Sequence, residues 1–385
     1  MFPFKVVNRN LCPQLIVYNK YVGVKFAKHM CNFAHRGRRK QNATGSLLSD
    51  ISHSPYGFHN EVFKKGNTMK IGFIGLGNVG AKLSGSLLRN GHDLMVLDLD
   101  QELVDGFVAR GARAAKNPAD MMAQCDAVIT CLPSPAASAA VMEAEDGLLS
   151  ALSVGKIWME MSTTDEAEVK RLGEKVIAAG GKAVDCPVSG GCHRADTGNI
   201  AIFAGCDRPT FEAILPTLTS MGRRILHTGP LGSASILKVV TNYLATANLI
   251  SVAEALTVSK AAGMDLGTAY EAIRISSGNS FVHETEGQII LNGSREIHFT
   301  MDLVLKDIGL FQAVADRANV PLEMNPLMIK IFEDGISKYG PRERSPAIIQ
   351  RLEDATGLDV TTTGFPADIL DDEAEEPGYE VIVKR

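Results

Sequence analysis

The strand–turn–helix pattern in residues 70–98 constrains the fold more than any other feature of the chain. A short apolar run leads directly into Gly75-x-Gly77-x-x-Gly80, a helical pattern follows, and a second apolar run comes after it. In this context Gly75 permits a tight turn, Gly77 lets the backbone approach a pyrophosphate, and Gly80 lets the helix pack closely on the strand. The pattern predicts a dinucleotide-binding βαβ unit, with cofactor contacts at Gly75, Leu76, Gly77, Asn78, Val79 and Gly80.

Asp98 stands at the end of the second predicted strand. A carboxylate at this position accepts hydrogen bonds from both hydroxyls of an adenosine ribose and repels a 2′-phosphate. The next residues, 99–102, are Leu, Asp, Gln and Glu, so no arginine follows that could hold such a phosphate. We therefore expect NAD rather than NADP, although Asp98 also fits the simpler role of a carboxylate that ends a strand.

Strands and helices continue to alternate up to residue 231, which predicts a doubly wound sheet with helices on both faces. Apolar strands are predicted over 126–132 and 156–162. Because ligands bind at the carboxyl ends of parallel strands, Leu132, Pro133 and Thr163 are expected to line the cofactor. Thr163 fits equally well as a simple helix-cap residue.

Residues 183–191 have the pattern of a strand that opens into a turn, and the turn holds Ser189, Gly190 and Gly191. Backbone N–H groups in a glycine-rich loop can hold a carboxylate without a cation. We expect this turn to bind an acidic substrate.

A long helical pattern over residues 232–262 carries Lys238 and Asn242. Residues four apart lie on one face of a helix, so this face can present an ammonium group and an amide to the same substrate hydroxyl. A lysine desolvated by apolar neighbours has a lowered pKa, which suits it to accept a proton. The alternative is a solvated lysine near the start of a helix.

Taken together, these blocks resemble the β-hydroxyacid dehydrogenase family, and within it the 3-hydroxyisobutyrate dehydrogenase-like members. The resemblance spans roughly residues 70–310, with the family's order and spacing. The matching positions are 72–80, 131–133, 162–163, 185–191, 229–232, Lys238, Asn242 and 306–307.

The resemblance implies NAD(P)-dependent oxidation of a short 3-hydroxy acid, with Lys238 as general acid and base. It implies that Ser189, Gly190 and Asn242 bind the substrate and that Leu132, Pro133, Thr163 and Lys306 contact the cofactor. Lys306 also fits a salt bridge with its neighbour Asp307. Two other functions remain open: a semialdehyde reductase of the tartronate or succinate semialdehyde type, and a non-catalytic NAD-binding or interaction module.

The chain departs from the family directly after the glycine turn, where Cys192, His193 and Arg194 replace the family's usual small residues. These bulky side chains would sit beside the substrate carboxylate, where His193 could bind an additional polar or anionic group of the substrate. The alternative is that they point to solvent.

The fold class we expect is α/β, with an N-terminal Rossmann-type doubly wound sheet and an all-helical C-terminal domain joined by a long interdomain helix. The predicted boundaries are 69–231 for the NAD-binding domain, 232–340 for the helical domain and 341–385 for a C-terminal extension. The acidic run 371–376 in this extension is typical of a solvated or disordered segment. We expect a homodimer or homotetramer.

Residues 1–68 differ in composition from the rest of the chain. The stretch before Asp50 contains no acidic residue and nine lysines or arginines. This composition is typical of a transit peptide, most simply a mitochondrial one. The alternatives to the mitochondrial matrix are another organelle, a disordered tail, or a true start at Met69 and a cytoplasmic protein.

Overall charge and cysteine spacing exclude several other classes. The net charge of -5 gives no indication of a nucleic-acid or anionic membrane partner. The seven cysteines include no C-x-x-C pair, so the sequence predicts neither a metal site nor a disulfide scaffold.

Overall fold

The computed structural model of the chain describes residues 69–384. The predicted leader, residues 1–68, lies outside this range, and the transit-peptide prediction therefore stays a prediction.

One sheet forms the first half of the described chain. Its strands are β1 (Ile71–Ile74), β2 (Leu94–Leu97), β3 (Arg113–Ala114), β4 (Ala127–Thr130), β5 (Ile157–Glu160), β6 (Lys182–Asp185), β7 (Val188–Ser189), β8 (Ala201–Gly205), β9 (Arg224–Gly229) and β10 (Tyr379–Glu380). The strand order is β10-β9-β8-β6-β5-β4-β1-β2-β3, with β7 paired to β8. Pairing is parallel except where β8 meets β6 and β7.

Helices connect these strands and then make up the second half. They are α1 (Gly80–Arg89), α2 (Gln101–Val108), α3 (Pro118–Gln124), α4 (Pro135–Glu143), α5 (Glu166–Ala178), α6 (Gly191–Thr197), α7 (Arg208–Thr219), α8 (Ser233–Ala261), α9 (Leu266–Arg274), α10 (Phe281–Asn292), α11 (Met301–Arg317), α12 (Met324–Tyr339) and α13 (Gln350–Thr356). Short 3-10 helices occupy Leu148–Ala151 and Ser345–Ile349. The predicted α/β fold with a helical second half is confirmed.

The central strands are buried on both faces, as their continuous apolar sequences require. All four residues of β1, β4 and β5 are buried, and Phe73 and Trp158 are among the largest side chains in the core. The register aligns the ends of these three strands, because Ile74 pairs with Thr130 and Thr130 pairs with Glu160. The loops that follow them therefore meet at one edge of the sheet.

The 29-residue helix α8 links the sheet to the helical half of the molecule. At 1.5 Å per residue it is about 44 Å long. Ala234 and Val239 are buried near its start, whereas Leu249, Val252 and Leu256 belong to the core of the helical half. By length and composition alone this helix could also cross a membrane, but the packing of these residues gives its apolar character a role inside the protein.

A buried carboxylate anchors the start of α8 to the sheet. Asp185, at the end of β6, accepts hydrogen bonds from the Gly232 amide at 2.8 Å and from the Ser235 amide and hydroxyl at 2.7 and 3.0 Å. These bonds satisfy amides that every helix leaves free at its first turn. The anchor fixes the direction in which α8 leaves the sheet, and with it the position of Lys238 one turn later.

The acidic C-terminal run is only partly solvated: residues 372 and 374–376 are exposed, as its composition predicts, whereas Asp371 and Glu373 are partly buried and paired with the fold. Asp371 Oδ2 accepts hydrogen bonds from Thr197 and Asn199, and Glu373 forms a two-pronged ion pair with Arg224 at 2.8 and 3.0 Å. Strand β10 then extends the sheet beside β9. The segment is ordered because arginines from separate elements face it and because it covers an edge strand that would otherwise present unpaired backbone groups.

Candidate active site

A cavity of about 1620 Å³ lies between the carboxyl edge of the sheet and the helical half. Every predicted site residue except Leu76 lines it: Gly75, Gly77, Asn78, Val79, Gly80, Asp98, Leu132, Pro133, Thr163, Ser189, Gly190, Gly191, His193, Lys238, Asn242 and Lys306. Leu76 is 1% exposed and packs in the sheet core. The fold thus brings together loops that are distant in the sequence.

The glycine loop has the shape that a dinucleotide requires. Gly75 has φ +99°, and a Cβ there would lie 2.2 Å from the carbonyl oxygen of Cys131. A Cβ on Gly80 would lie 1.9 Å from the carbonyl oxygen of Gly75, so α1 can approach the loop this closely only with glycine at position 80. A Cβ on Gly77 would meet no atom within 4 Å, which leaves open space beside the backbone for a pyrophosphate.

Asp98 shapes the glycine loop and also lines the cavity. Its Oδ2 accepts a hydrogen bond from the Leu76 amide and its Oδ1 accepts one from the Asp100 amide at 2.9 Å. Each carboxylate oxygen has a second lone pair for another donor. The carboxylate can therefore end the strand, hold the loop and accept a ribose hydroxyl, so the two roles predicted for it are compatible.

A hydrogen-bonded chain starts at Lys238. Its Nζ donates to Asn242 Oδ1 at 2.8 Å, and Asn242 Nδ2 donates to Asp307 Oδ2. Asp307 Oδ1 lies 3.0 Å from Lys306 Nζ, which also donates to the carbonyl oxygen of Thr163 at 2.9 Å. The chain connects α8 and α11 with the loop after β5, so the predicted face of α8 acquires a partner from the helical half.

Lys238 is only 9% exposed. Burial lowers the pKa of its ammonium group to about 8; Asp307 acts in the opposite direction, and Lys306 adds a further lowering. Burial dominates because removing water disfavours the charged form more than one carboxylate restores it. At pH 7 about a tenth of Lys238 is therefore neutral and able to accept a proton, and this fraction rises steeply as the pH approaches 8.

Two interactions tie the remaining cofactor-side residues together. The Leu132 amide donates to Ser162 Oγ at 2.7 Å, which joins the loops after β4 and β5. Lys306 pairs with Asp307, the alternative role predicted for it, and also reaches the loop that carries Thr163, while its predicted cofactor contact stays a prediction.

The turn after β7 depends on two glycines in backbone conformations that other residues rarely adopt. Gly190 has φ +130° and Gly191 has φ +87°. A Cβ on Gly191 would lie 2.7 Å from the His193 ring, and one on Gly190 would lie 3.2 Å from Arg194 Cδ. The glycines therefore allow His193 and Arg194 to fold back over the turn instead of projecting away from it.

His193 and Arg194 line the cavity and do not point into open solvent. The guanidinium of Arg194 lies 4.7 Å from the centre of the Phe281 ring, and the His193 ring stacks on the same ring at 6.3 Å. Arg194 also lies 3.9 Å from Asp371 and 3.8 Å from Glu373. Burial, followed by the positive charge of Arg194, lowers the pKa of His193, so its ring is neutral at physiological pH.

Sequence reasoning missed three residues that shape this site. Asp185 anchors α8, Asp371 holds α6, and Glu286 contributes a carboxyl group to the cavity wall. Only Asp185 carried a signal, as the first residue of a family block; the roles of Asp371 and Glu286 depend on tertiary packing.

Two family models together match most of the chain. The NAD binding domain of 6-phosphogluconate dehydrogenase matches residues 70–229, and the NAD-binding domain of NADP-dependent 3-hydroxyisobutyrate dehydrogenase matches residues 232–352. The chain belongs to the β-hydroxyacid dehydrogenase family. It is an oxidoreductase with an NAD(P)-binding Rossmann domain, and the segment after residue 352 lies outside both matches.

Characterised relatives of this family member act on different compounds. It is 35% identical over 295 residues to 2-(hydroxymethyl)glutarate dehydrogenase of Eubacterium barkeri, covering 76% of this chain and 98% of that protein. It is 33% identical over 294 residues to NAD-dependent L-serine dehydrogenase of Pseudomonas aeruginosa, covering 74% and 98%. It is 30% identical over 278 residues to mitochondrial 3-hydroxyisobutyrate dehydrogenase of Drosophila melanogaster, covering 70% and 85%.

The fold also recurs in solved structures. The 3-hydroxyisobutyrate dehydrogenase of Mycobacterium tuberculosis, solved with L-serine, superposes with a TM-score of 0.68 at 24% identity and covers 74% of this chain and 99% of that one. This likeness shows the shared fold.

We predict that Asp371→Ala destabilises the protein, because Thr197 and Asn199 lose a shared acceptor whose side chain is only 2% exposed. The free energy of unfolding in urea should fall by about 1–3 kcal/mol, and hydrogen exchange of residues 191–199 should accelerate. Asp372→Ala is the matched control, since Asp372 is exposed. Equal stability of the two variants would contradict the anchoring role of Asp371.

Proposed function

We propose that the protein oxidises a short 3-hydroxy acid of the 3-hydroxyisobutyrate type with NAD, and that Lys238 is the general acid and base. The observation that carries the proposal is the position of Lys238. It is buried in the wall of a cavity that also contains the glycine loop for the cofactor and the Ser189–Gly191 turn. Three groups that such a reaction needs therefore line one cavity.

The residues of this chain divide the chemistry between them. When bound, the cofactor supplies a nicotinamide ring that accepts a hydride from the hydroxyl-bearing carbon. The turn at 189–191 holds the substrate carboxylate through its backbone amides and the Ser189 hydroxyl. Neutral Lys238 accepts the hydroxyl proton as the hydride leaves, so that charge and atoms balance, and the protonated lysine returns the proton in the reverse reaction.

Asn242 and Asp307 position the lysine. Asn242 Oδ1 accepts from Lys238 Nζ at 2.8 Å, and the amide is held in that orientation by its own donation to Asp307. An amide oriented in this way holds Lys238 Nζ in place and adds no charge beside it, whereas a carboxylate in direct contact would raise the pKa of Lys238.

The family's range of substrates supports the hydroxy-acid assignment. The relatives are named for 2-(hydroxymethyl)glutarate, L-serine and 3-hydroxyisobutyrate. These compounds share a primary alcohol on the carbon next to the one that bears the carboxylate. The proposed geometry, with the carboxylate at the turn and the hydroxyl at Lys238, suits that common part.

Lys238→Met should abolish turnover while leaving NAD binding intact, because it removes the proton acceptor and keeps an apolar side chain in the buried position. We expect kcat/KM to fall by about 10²-fold or more. In the wild type, kcat/KM for oxidation should rise with pH and level off above about 8, as Lys238 loses its proton. For reduction, kcat/KM should instead fall above about 8.

Steady-state kinetics and calorimetric titration with NAD test this prediction. Lys260→Met, in the last turn of the same helix, is the matched control and should keep wild-type kinetics. Near-normal turnover by Lys238→Met would refute the mechanism.

We propose NAD as the preferred cofactor because Asp98 lines the cavity beside the glycine loop and no cation follows it in residues 99–102. Asp98→Asn should raise KM for NAD and lower KM for NADP, since the variant no longer repels a 2′-phosphate. Glu102→Gln on α2 is the control, because it makes the same change of charge at an exposed site. If the ratio of kcat/KM values for the two cofactors does not change in Asp98→Asn, Asp98 does not select the cofactor.

We also propose import into mitochondria. The support is the basic, acid-free composition of the first 49 residues and the Drosophila melanogaster relative, which is named as mitochondrial. A fluorescent protein fused behind residues 1–68 should enter mitochondria in a eukaryotic host, and diffuse fluorescence would argue against import.

A further inference from the structure

Glu286 is an acidic side chain in the cavity wall that has no role in the proposed reaction. It lies on α10, one turn after Val282, and the pair Phe281 and Thr285 lies beside them on the same helix. All four residues line the cavity. Because residues four apart share a helix face, α10 presents this stripe, with Glu286 on it, to the space where the substrate binds.

The carboxyl group of Glu286 has an unsatisfied oxygen. Its Oε2 is shielded from bulk solvent and has no hydrogen-bond partner within residues 69–384. Burial raises the pKa of Glu286 to about 7, and it is the sole cause of the shift. Buried polar groups are nearly always paired in folded proteins, and a carboxyl group left unpaired is costly.

No lysine or arginine within residues 69–384 compensates for this carboxyl group, since burial alone shifts its pKa. Arg194 is placed between Asp371 and Glu373, and Arg342, which also lines the cavity, pairs with Asp302 at 3.1 Å. Lys238 donates to Asn242. A carboxyl group that lines the cavity and has no positively charged partner among the described residues can pair with a positively charged group of a ligand.

The chemistry of Glu286 discriminates between the extra groups that a hydroxy acid can carry. A second carboxylate would meet a like charge or require Glu286 to stay protonated. An alkyl group would leave the carboxyl group unpaired. An ammonium group would supply both a charge and hydrogen-bond donors, and charge-assisted hydrogen bonds of this kind are the strong ones.

We propose that Glu286 selects 3-hydroxy acids that carry an ammonium group, by accepting a hydrogen bond from that group in the substrate cavity. This inference rests on the proposed function, because it takes the carboxylate turn and Lys238 to hold the other two groups of the substrate. The preferred substrate class is then a zwitterionic amino hydroxy acid.

L-serine and 3-hydroxyisobutyrate form a matched pair of probes, because they differ mainly in an ammonium group against a methyl group on the same carbon. Dissociation constants for both are measured by calorimetry on the full-length enzyme–NADH complex, which cannot oxidise either compound. The preference is the dissociation constant of 3-hydroxyisobutyrate divided by that of L-serine. Parallel assays with NAD give kcat/KM for each compound.

We expect Glu286→Gln to lower the preference for L-serine by at least about tenfold, since the amide keeps the shape and loses the charge. Glu284→Gln, which makes the same change at an exposed position of the same helix, should keep the preference within about twofold. In the wild type the preference should rise between pH 6 and 8 as Glu286 ionises, and it should rise less in Glu286→Gln, which has no carboxyl group to ionise. Lys238 titrates in the same range in both proteins, so the difference between the two pH profiles isolates the effect of Glu286.

The inference is overturned if Glu286→Gln keeps the wild-type preference, if the preference does not change with pH, or if L-serine does not bind the wild-type complex. A tenfold loss of preference without turnover of either compound would support the role of Glu286 and at the same time refute the proposed function.

Discussion

The hydrogen bonds that Asp185 accepts from the start of α8 are the constraint on which the site depends. A helix of about 44 Å runs from the sheet into the helical half. Its residues keep a fixed position beside the sheet only if its first turn is held there. Asp185 fixes that end at three donors, and the close packing leaves no room for side chains around it: a Cβ on Gly205 would lie 2.3 Å from Asp185 Oδ1. Asp185 is fully buried, and this burial raises its pKa even though the hydrogen bonds oppose the shift.

The same exclusion of water lowers the pKa of Lys238, as its proposed role requires. Moving its pKa from 10.5 to about 8 corresponds to about 3 kcal/mol by which the charged form is disfavoured. Asp307 is close enough to offset part of this, but it is reached through Asn242 and shared with Lys306. The effect of burial on the pKa of Lys238 therefore exceeds the effect of its attraction to Asp307. The arrangement keeps this pKa low because no carboxylate in the described part of the chain is in direct contact with Lys238.

Patterns that repeat within one element allowed much of the fold and site to be predicted from the sequence. The glycine spacing predicted the loop, because each glycine meets a local steric requirement. The four-residue spacing of Lys238 and Asn242 predicted that they share one face of α8. The register of the parallel strands placed Leu132, Pro133 and Thr163 at one edge. Leu76 stands within the loop, but its side chain points into the core, and its predicted cofactor contact stays a prediction.

Contacts between distant elements could not be predicted from the sequence. Nothing near Asn242 indicates that Asp307 will hold it, and nothing near Arg194 indicates Asp371. The acidic run 371–376 has the composition of a solvated segment, yet arginines from α6 and β9 converge on it and the strand that follows it pairs with β9. Glu286 is one of several acids on its helix, and only the packing of α10 against the cavity separates it from exposed Glu284.

The central claim is that burial makes Lys238 a proton acceptor near neutral pH. The most direct test is an NMR titration of the enzyme with 13C-labelled lysine side chains, with the Lys238 signal assigned from Lys238→Met. The account predicts a Lys238 pKa of about 8, well below that of the exposed lysines. A Lys238 pKa at the ordinary value of about 10.4 would contradict it.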